Sequence, residues 1–236
     1  NNDGKGFKIK YYKGLGTSTS KEFKEYFKEK KIVYFSDEEE GSQQNSHVEI
    51  LDKIFNKQRS NERKEWLKMY DRNKFVDTNH KSVSFKTFVD NEMIHFSKYD
   101  CDRSIPNMVD GLKVSQRKIL YSAFKKRLHQ EIKVAQFSGY VSEHSGYHHG
   151  EQSLNGAIIN MAQNFIGSNN INLLEPNGQF GTRLQGGKDH ASERYIFTRL
   201  SNITRNIFPP EDDAILNYLD DDGLKVEPIY YIPIIP

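Results

Sequence analysis

Residues 115–165, SQRKILYSAFKKRLHQEIKVAQFSGYVSEHSGYHHGEQSLNGAIINMAQNF, decide the fold. Ile119, Leu120, Ala123 and Phe124 recur at the spacing of one helix face, and Ser115 stands where it can cap that helix. A second helix fits 131–143. A third begins near His149 and carries Leu154, Ile158, Met161, Ala162 and Phe165. Three short helices with brief links suit a helix-turn-helix core, and equally any small helical bundle. Beyond Phe165 the pattern changes. Gly167, Gly178, Gly181, Gly186 and Gly187 interrupt short β-like runs such as Tyr195-Ile196-Phe197-Thr198. A β-ribbon or wing beside the three helices accounts for both halves of the pattern.

On the N-terminal side, helical spacing of Phe85, Phe88, Val89 and Phe96 predicts a helix over about 84–96. Ile50, Leu51, Ile54 and Phe55 predict another over about 48–70. Residues 36–47 are polar and patternless and read as a flexible loop or domain boundary. Further back, Thr19 and Glu22 form a capping-box pair at the head of a helix carrying Phe23, Tyr26 and Phe27. A strand pattern, Phe7 to Tyr12, precedes the glycine-containing run Lys13–Ser20. The first residue is not Met and the strand begins almost at once, so we expect a piece of a longer protein. The apolar tail Val226–Pro236 is expected to pack against something outside the chain.

With 36% hydrophobic and 28% charged residues, the composition is that of a polar globular protein, and no run reaches the ~18 apolar residues of a membrane span. The single Cys101 excludes an internal disulfide framework and a Cys-rich zinc site; a reducing compartment is the simple reading. The net charge of +2 says little, but its distribution says more. Residues 103–133 carry eight Lys/Arg against two acids, and residues 1–30 carry eight Lys against four. Such segregation is a polyanion footprint or an ordinary lysine-rich surface.

Four clusters invite chemistry. Arg194-Tyr195 places a bidentate phosphate ligand beside a phenol, but among thirteen tyrosines such a pair alone reads as a packed strand residue. Strand neighbours point to opposite faces, so both reach one phosphate only if the strand bends. In the run Glu143–Glu151, His144 and His148 have metal-ligand spacing, yet Gly146 breaks the helix that would align them. The same run offers imidazole and phenol donors at a helix N-terminus, with Ser153 one turn on. Lys13–Ser20 lacks the spacing of a nucleotide loop. Asp100, Asp102 and Asp220–Asp222 read as solvated acids rather than metal ligands.

The motifs are not independent. Tyr-Tyr-Lys-Gly-Leu-Gly-Thr-Ser at 11–18, Arg-Ser-Ile-Pro at 103–106, Asp-Gly-Leu-Lys at 110–113, Gln-Arg-Lys at 116–118 and Lys-Val-Ala-Gln at 133–136 come in order. Tyr-His-His-Gly-Glu at 147–151, Ala-Gln-Asn-Phe at 162–165, Gly-Ser-Asn-Asn at 167–170, Gly-Gln-Phe-Gly-Thr-Arg at 178–183 and Arg-Tyr-Ile-Phe at 194–197 follow. This series resembles the DNA breakage–reunion region of eukaryotic-type DNA topoisomerase II, over nearly the whole chain except about 36–82.

The resemblance implies an α+β chain: the end of a TOPRIM α/β domain over 1–35, a connector over 36–82, a winged-helix DNA-binding domain over 83–225, and the start of a tower domain over 226–236. It implies that Tyr195 is the nucleophile forming a 5′-phosphotyrosine, that Arg194 stabilises the transition state, and that Arg103, Lys113 and His149 gather at the scissile phosphate. Tyr147, His148, Ser153, Gln116, Arg117 and Lys13 are the further DNA-contacting positions. It also implies double-stranded DNA as partner, a homodimer, a nuclear location with no membrane, and Mg²⁺ and ATP in the intact enzyme. No metal ligand is expected within the chain itself, because the family's Asp-x-Asp-x-Asp set lies upstream of the Tyr-Tyr-Lys-Gly motif. Two alternatives stay open: a DNA-binding module without cleavage chemistry, and a tyrosine recombinase forming a 3′ link.

Overall fold

Apolar faces find partners within two separate units, one over residues 1–96 and the other over 97–236. In the computed structural model, residues 10, 17–36, 46–221 and 223–235 are described. The strand read over Phe7–Tyr12, Lys13 with its glycine run, and most of the 36–47 loop lie outside them.

In the first unit, α1 (Ser20–Lys28) starts at the expected cap: the Thr19 N–H donates to Glu22 Oε2 at 2.5 Å and the Glu22 N–H to Thr19 Oγ1 at 3.4 Å. Tyr26 and Phe27 of its apolar face are exposed. The helix read over 48–70 is instead two, α2 (Ser46–Phe55) and α3 (Ser60–Lys68), separated by a 3₁₀ turn that Asn56 caps through its side chain. Arg59 ties the pieces together, its guanidinium reaching Glu49, Asp52 and Glu62. β1 (Tyr34–Ser36) pairs in parallel with β2 (Ser82–Ser84). Next come α4 (Phe85–Phe88), a π-helical turn over Val89–Met93, and α5 (Ile94–Ser104), which begins in the first unit and ends in the second.

The helix expected to stop at 96 therefore continues to 104. The boundary between units falls after Phe96, whereas the sequence reading placed one after residue 82. Packing accounts for the difference. Val89 and Ile94 are buried with Trp66, Ile50 and Ile54 in one cluster, and the Trp66 indole donates to Asp90 at 2.9 Å.

In the second unit the three-helix reading is matched by α6 (Val114–Lys126), α7 (Val134–Ser145) and α8 (Glu151–Ala162). Ser115 lies inside α6 rather than capping it; Lys113 is the cap residue, and its N–H donates to Gln116 Oε1 at 2.9 Å. β3 (Ile132–Lys133), β4 (Leu174–Asn177) and β5 (Phe197–Leu200) make an antiparallel sheet in the order β3-β5-β4, the wing beside the helices. Ile119, Leu120, Val134, Phe137, Leu154, Ile158, Leu174 and Ile196 fill the space between helices and sheet. The short α9 (Thr204–Ile207) and a hairpin of β6 (Tyr218–Asp221) and β7 (Leu224–Pro228) complete the unit.

The tail is only partly free. Tyr231 is buried edge-on against Phe124 and Phe208, while Ile232, Ile234 and Ile235 are exposed. No helix among the described residues is long and apolar enough to cross a membrane.

Candidate nucleic-acid interface and nucleophile

The site begins with a buried carboxylate. Asp110 sits in the loop between α5 and α6. Its side chain accepts from Arg117 Nε at 2.7 Å and Arg117 Nη2 at 2.9 Å, from the Leu112 N–H at 2.9 Å, and from the Tyr231 N–H at 2.9 Å. Arg117 also donates to the Leu112 carbonyl and is 4% exposed. Its guanidinium is thus committed to the fold, and Gln116 is committed to the head of α6. Of these two expected DNA contacts, Arg117 is buried and Gln116 half-buried, and both shape the surface around them. The anchored loop presents Lys113 to solvent at the start of α6.

Across from that loop, α7 ends at Gly146, which adopts φ +59°. That backbone conformation favours glycine, and a Cβ there would stand 2.2 Å from Asp221 Oδ2 and displace that carboxylate. The turn releases Tyr147, His148 and His149 before α8 begins, and it separates His144 from His148, as the glycine predicted.

The last turn of α5, the head of α6 and this histidine turn enclose a cavity of about 630 Å³. Arg103, Lys113, Tyr147, His148, His149 and Ser153 all line it, so six of the expected site residues are brought to one place. Arg103 and Lys113 have no carboxylate partner among the described residues. Lys118, also on the wall, is neutralised by Glu227 at 2.7 Å. His148 Nε2 lies 3.4 Å from Asp221 Oδ2. His149 Nε2 is 2.6 Å from the hydroxyl of Tyr99, and the Tyr147 ring stands edge-on to the imidazole at 5.5 Å. Burial, then the positive charges of Arg103, His148 and Lys118, hold His149 below the usual imidazole range. A cavity with two uncompensated cations and a predominantly neutral imidazole suits a phosphodiester, which needs charge compensation and hydrogen bonds together.

Tyr195 and Arg194 are not part of that wall. They stand in a turn ahead of β5, where the Tyr195 N–H donates to the Ser192 carbonyl at 2.9 Å. The strand expected over 195–198 thus starts two residues later. Tyr195 is 76% exposed, not packed, and Arg194 is exposed beside it. The turn removes the alternation that would have sent the two side chains to opposite faces.

This turn is held on both sides through the backbone. α7 has no side-chain cap; its Val134 N–H donates to the Ile196 carbonyl at 3.0 Å and its Ala135 N–H to the Glu193 carbonyl at 3.1 Å. Helix N-terminal donors lack partners within the helix, and here the tyrosine turn supplies them.

The preceding loop, 178–191, is braced as well. Buried Gln163 donates to the carbonyls of Phe180 at 2.9 Å and Gly187 at 3.3 Å. Asp189 accepts from the Thr182 N–H at 2.8 Å and hydroxyl at 2.7 Å. Gly181 and Gly187 touch so closely that a Cβ on Gly181 would stand 2.6 Å from the Gly187 backbone.

Several of these groups were not singled out as site residues. Tyr99 follows from its i, i+4 relation to Arg103 once α5 is extended. Lys118–Glu227 spans 109 positions, and no local signal marks it.

The family model for DNA gyrase/topoisomerase IV matches residues 103–236, and that for the C-terminal associated domain of TOPRIM matches 1–101. The chain is 55% identical to the DNA topoisomerase 2 of Arabidopsis thaliana, over 98% of the chain and 16% of that protein. It is 51% identical to a mitochondrial DNA topoisomerase 2 of Dictyostelium discoideum, over 98% of the chain and 18% of that protein. The chain therefore spans about a sixth of the length of such relatives. The crystal structure of the Plasmodium falciparum topoisomerase II DNA-binding, cleavage and re-ligation domain superposes with a TM-score of 0.78 at 52% identity, covering 97% of this chain and 31% of that one. With the basic cavity, the exposed tyrosine and the wing already in place, these matches establish that the chain belongs to the DNA gyrase/topoisomerase IV family, in its eukaryotic-type DNA topoisomerase II branch.

Proposed function

We propose that this chain supplies the DNA-binding surface and the nucleophilic tyrosine of an ATP-dependent type II DNA topoisomerase, which cuts both strands of one duplex, passes another through and reseals. The observation that carries this reading is the phenol of Tyr195, exposed on a turn fixed by backbone hydrogen bonds and flanked by Arg194. The Tyr195 oxygen attacks phosphorus, its proton leaves to solvent or a base, and the P–O3′ bond breaks as the departing O3′ takes up a proton from an acid or solvent. The products are a 5′-phosphotyrosine and a 3′-hydroxyl, and resealing is the reverse. Arg194 offsets charge on the five-coordinate phosphate. Arg103 and Lys113 hold backbone phosphates in the cavity. His149 donates to or relays a proton for phosphate oxygens, and Tyr147, His148 and Ser153 contact the duplex.

The carboxylates of the described residues do not form a Mg²⁺ site. Among the described residues no three His, Cys, Asp or Glu side chains cluster; Asp102 pairs with Lys98, and Asp220 accepts from the Gly223 N–H. We place Mg²⁺ and ATP on other parts of the intact enzyme, which acts as a nuclear homodimer. By itself this chain binds DNA without cutting it, the second reading that the scattered carboxylates favour.

The test is Tyr195→Phe in the intact protein, incubated with plasmid and Mg²⁺ and trapped with denaturant. Covalent adducts should vanish while DNA binding is kept. A persistent adduct would show that another residue attacks, and a 3′-linked one would move the protein to the recombinases.

A further inference from the structure

We infer that Tyr99 is a positioning residue for His149, holding the imidazole neutral and oriented toward the DNA-binding cavity through a hydrogen bond from its phenol; this rests on the cleavage reading above. No motif of the sequence points to Tyr99. It projects from the last two turns of α5, four residues before Arg103, so both side chains leave the same helix face and line the same cavity.

Its hydroxyl is 2.6 Å from His149 Nε2, a length typical of a strong hydrogen bond. The two rings are tilted at 39° with centroids 6.1 Å apart, and Tyr147 closes the other side edge-on at 5.5 Å. His149 is thus gripped by two aromatic residues, one from α5 and one from its own turn. Only Tyr99 makes a polar contact with the ring among the described residues.

The charges facing His149 explain why such a grip matters. Arg103 and Asp102 come from α5, with Asp102 paired to Lys98; Lys113 and Lys118 come from α6 and His148 from the same turn; Asp221 of β6 lies against His148, and Glu227 of β7 against Lys118. Positive groups in this set disfavour a positive charge on the ring. A neutral imidazole has one nitrogen lone pair, and a phenol O–H given to Nε2 occupies it and leaves the proton on Nδ1. The ring then enters the reaction with a defined tautomer. Without the phenol, both tautomers and the protonated ring become more accessible, and the fraction of molecules ready to act on a phosphate falls. Tyr99 does this without touching the reacting atoms, and its own ring is 48% exposed.

The experiment compares Tyr99→Phe, His149→Ala and the double variant in the intact protein, measuring Tyr195-linked adduct formation with Mg²⁺ and plasmid across pH, and duplex affinity by mobility shift. Tyr99→Phe keeps the ring and removes one hydroxyl. The expected result is duplex affinity within twofold of the parent and adduct formation slowed about fivefold, the size of one net hydrogen bond. The acid limb of the pH profile should move upward by about half a unit, because the neutral ring loses its donor. The double variant should be no slower than His149→Ala alone, the signature of a residue acting through another.

Equal losses in affinity and adduct formation would make Tyr99 a DNA contact and overturn the inference. So would an unshifted pH limb, or losses that multiply in the double variant. If the parent itself forms no Tyr195 adduct, the cleavage reading fails instead, and the two failures are told apart by that control.

Discussion

Asp110→Ala should be among the most damaging single changes in the second unit. The carboxylate is fully enclosed and receives four hydrogen bonds, two from Arg117 and one each from the backbone of Leu112 and Tyr231. Removing it leaves the Arg117 guanidinium, whose side chain is 5% exposed, with the Leu112 carbonyl as its one partner among the described residues. Breaking a buried pair from one side costs about 3–5 kcal/mol. The two orphaned backbone donors add about 1 kcal/mol or more each unless water reaches them. Against a typical total stability of about 5–15 kcal/mol, this is enough to populate unfolded chains near body temperature.

A thermal melt of residues 1–236, with tryptophan-independent circular dichroism as the probe, should show the main transition falling by roughly 10 °C or more. Asp110→Leu combined with Arg117→Met should recover most of the loss, since apolar groups of similar size often replace a buried ion pair at no cost. The loop also presents Lys113, so DNA affinity should fall with Asp110→Ala even where the chain remains folded. A transition unchanged within about 2 °C, well below the shift that 1 kcal/mol produces, would refute the reasoning and show that solvent reaches the pair.

Lys113→Ala should weaken binding to all duplex sequences alike and reduce the slope of log affinity against log salt by about 0.9, as expected for one lost phosphate contact. Gly181→Ala forces a Cβ into the Gly187 backbone at φ +93°; it should cost about 1–3 kcal/mol in a melt and reduce Tyr195 adducts more than DNA binding. His149 is held below its ordinary pKa by burial and by the cations around it, so protonation favours the unfolded chain. Its contribution to stability is complete above the unfolded value of about 6.5 and is lost as pH falls from there through the lower folded value. His149→Gln should accordingly flatten the decline in melting temperature on the acid side, measured between pH 7.5 and 5.5.

The three-helix core was legible because Ile119, Leu120, Leu154 and Ile158 obey helical spacing and are buried as that spacing requires. The tyrosine turn was not. Tyr-Ile-Phe-Thr has strand chemistry, but two N–H groups at the head of α7 capture the carbonyls of Glu193 and Ile196, and tertiary hydrogen bonding overrides local preference. Arg117 and Lys113 look alike in a basic stretch; only the fold tells that one faces Asp110 and the other faces water. Tyr99 was missed because the apolar spacing that revealed the preceding helix stops at Phe96, while the helix itself runs on to Ser104. The Gly-containing segments announced turns correctly but not their bracing, since Gln163 and Asp189 act through contacts that no periodicity encodes.

The coupling of the Tyr195 turn to α7 has a mechanical consequence. In the proposed reaction, a DNA end joined to the Tyr195 phenol would pull on the chain while the break is open. A side chain on a slack loop would let that tension drag the attachment point through several ångströms. Here the turn is fastened by the Val134 and Ala135 N–H groups to the first residues of a helix whose Val134, Phe137 and Val141 are embedded in the core. The load would pass through two backbone hydrogen bonds and β5 into a packed body, which makes the attachment stiff. In that reaction a stiff mooring would keep the severed 3′-hydroxyl and the phosphorus in register for resealing, and the turn would yield only at a force that also begins to unwind the head of α7.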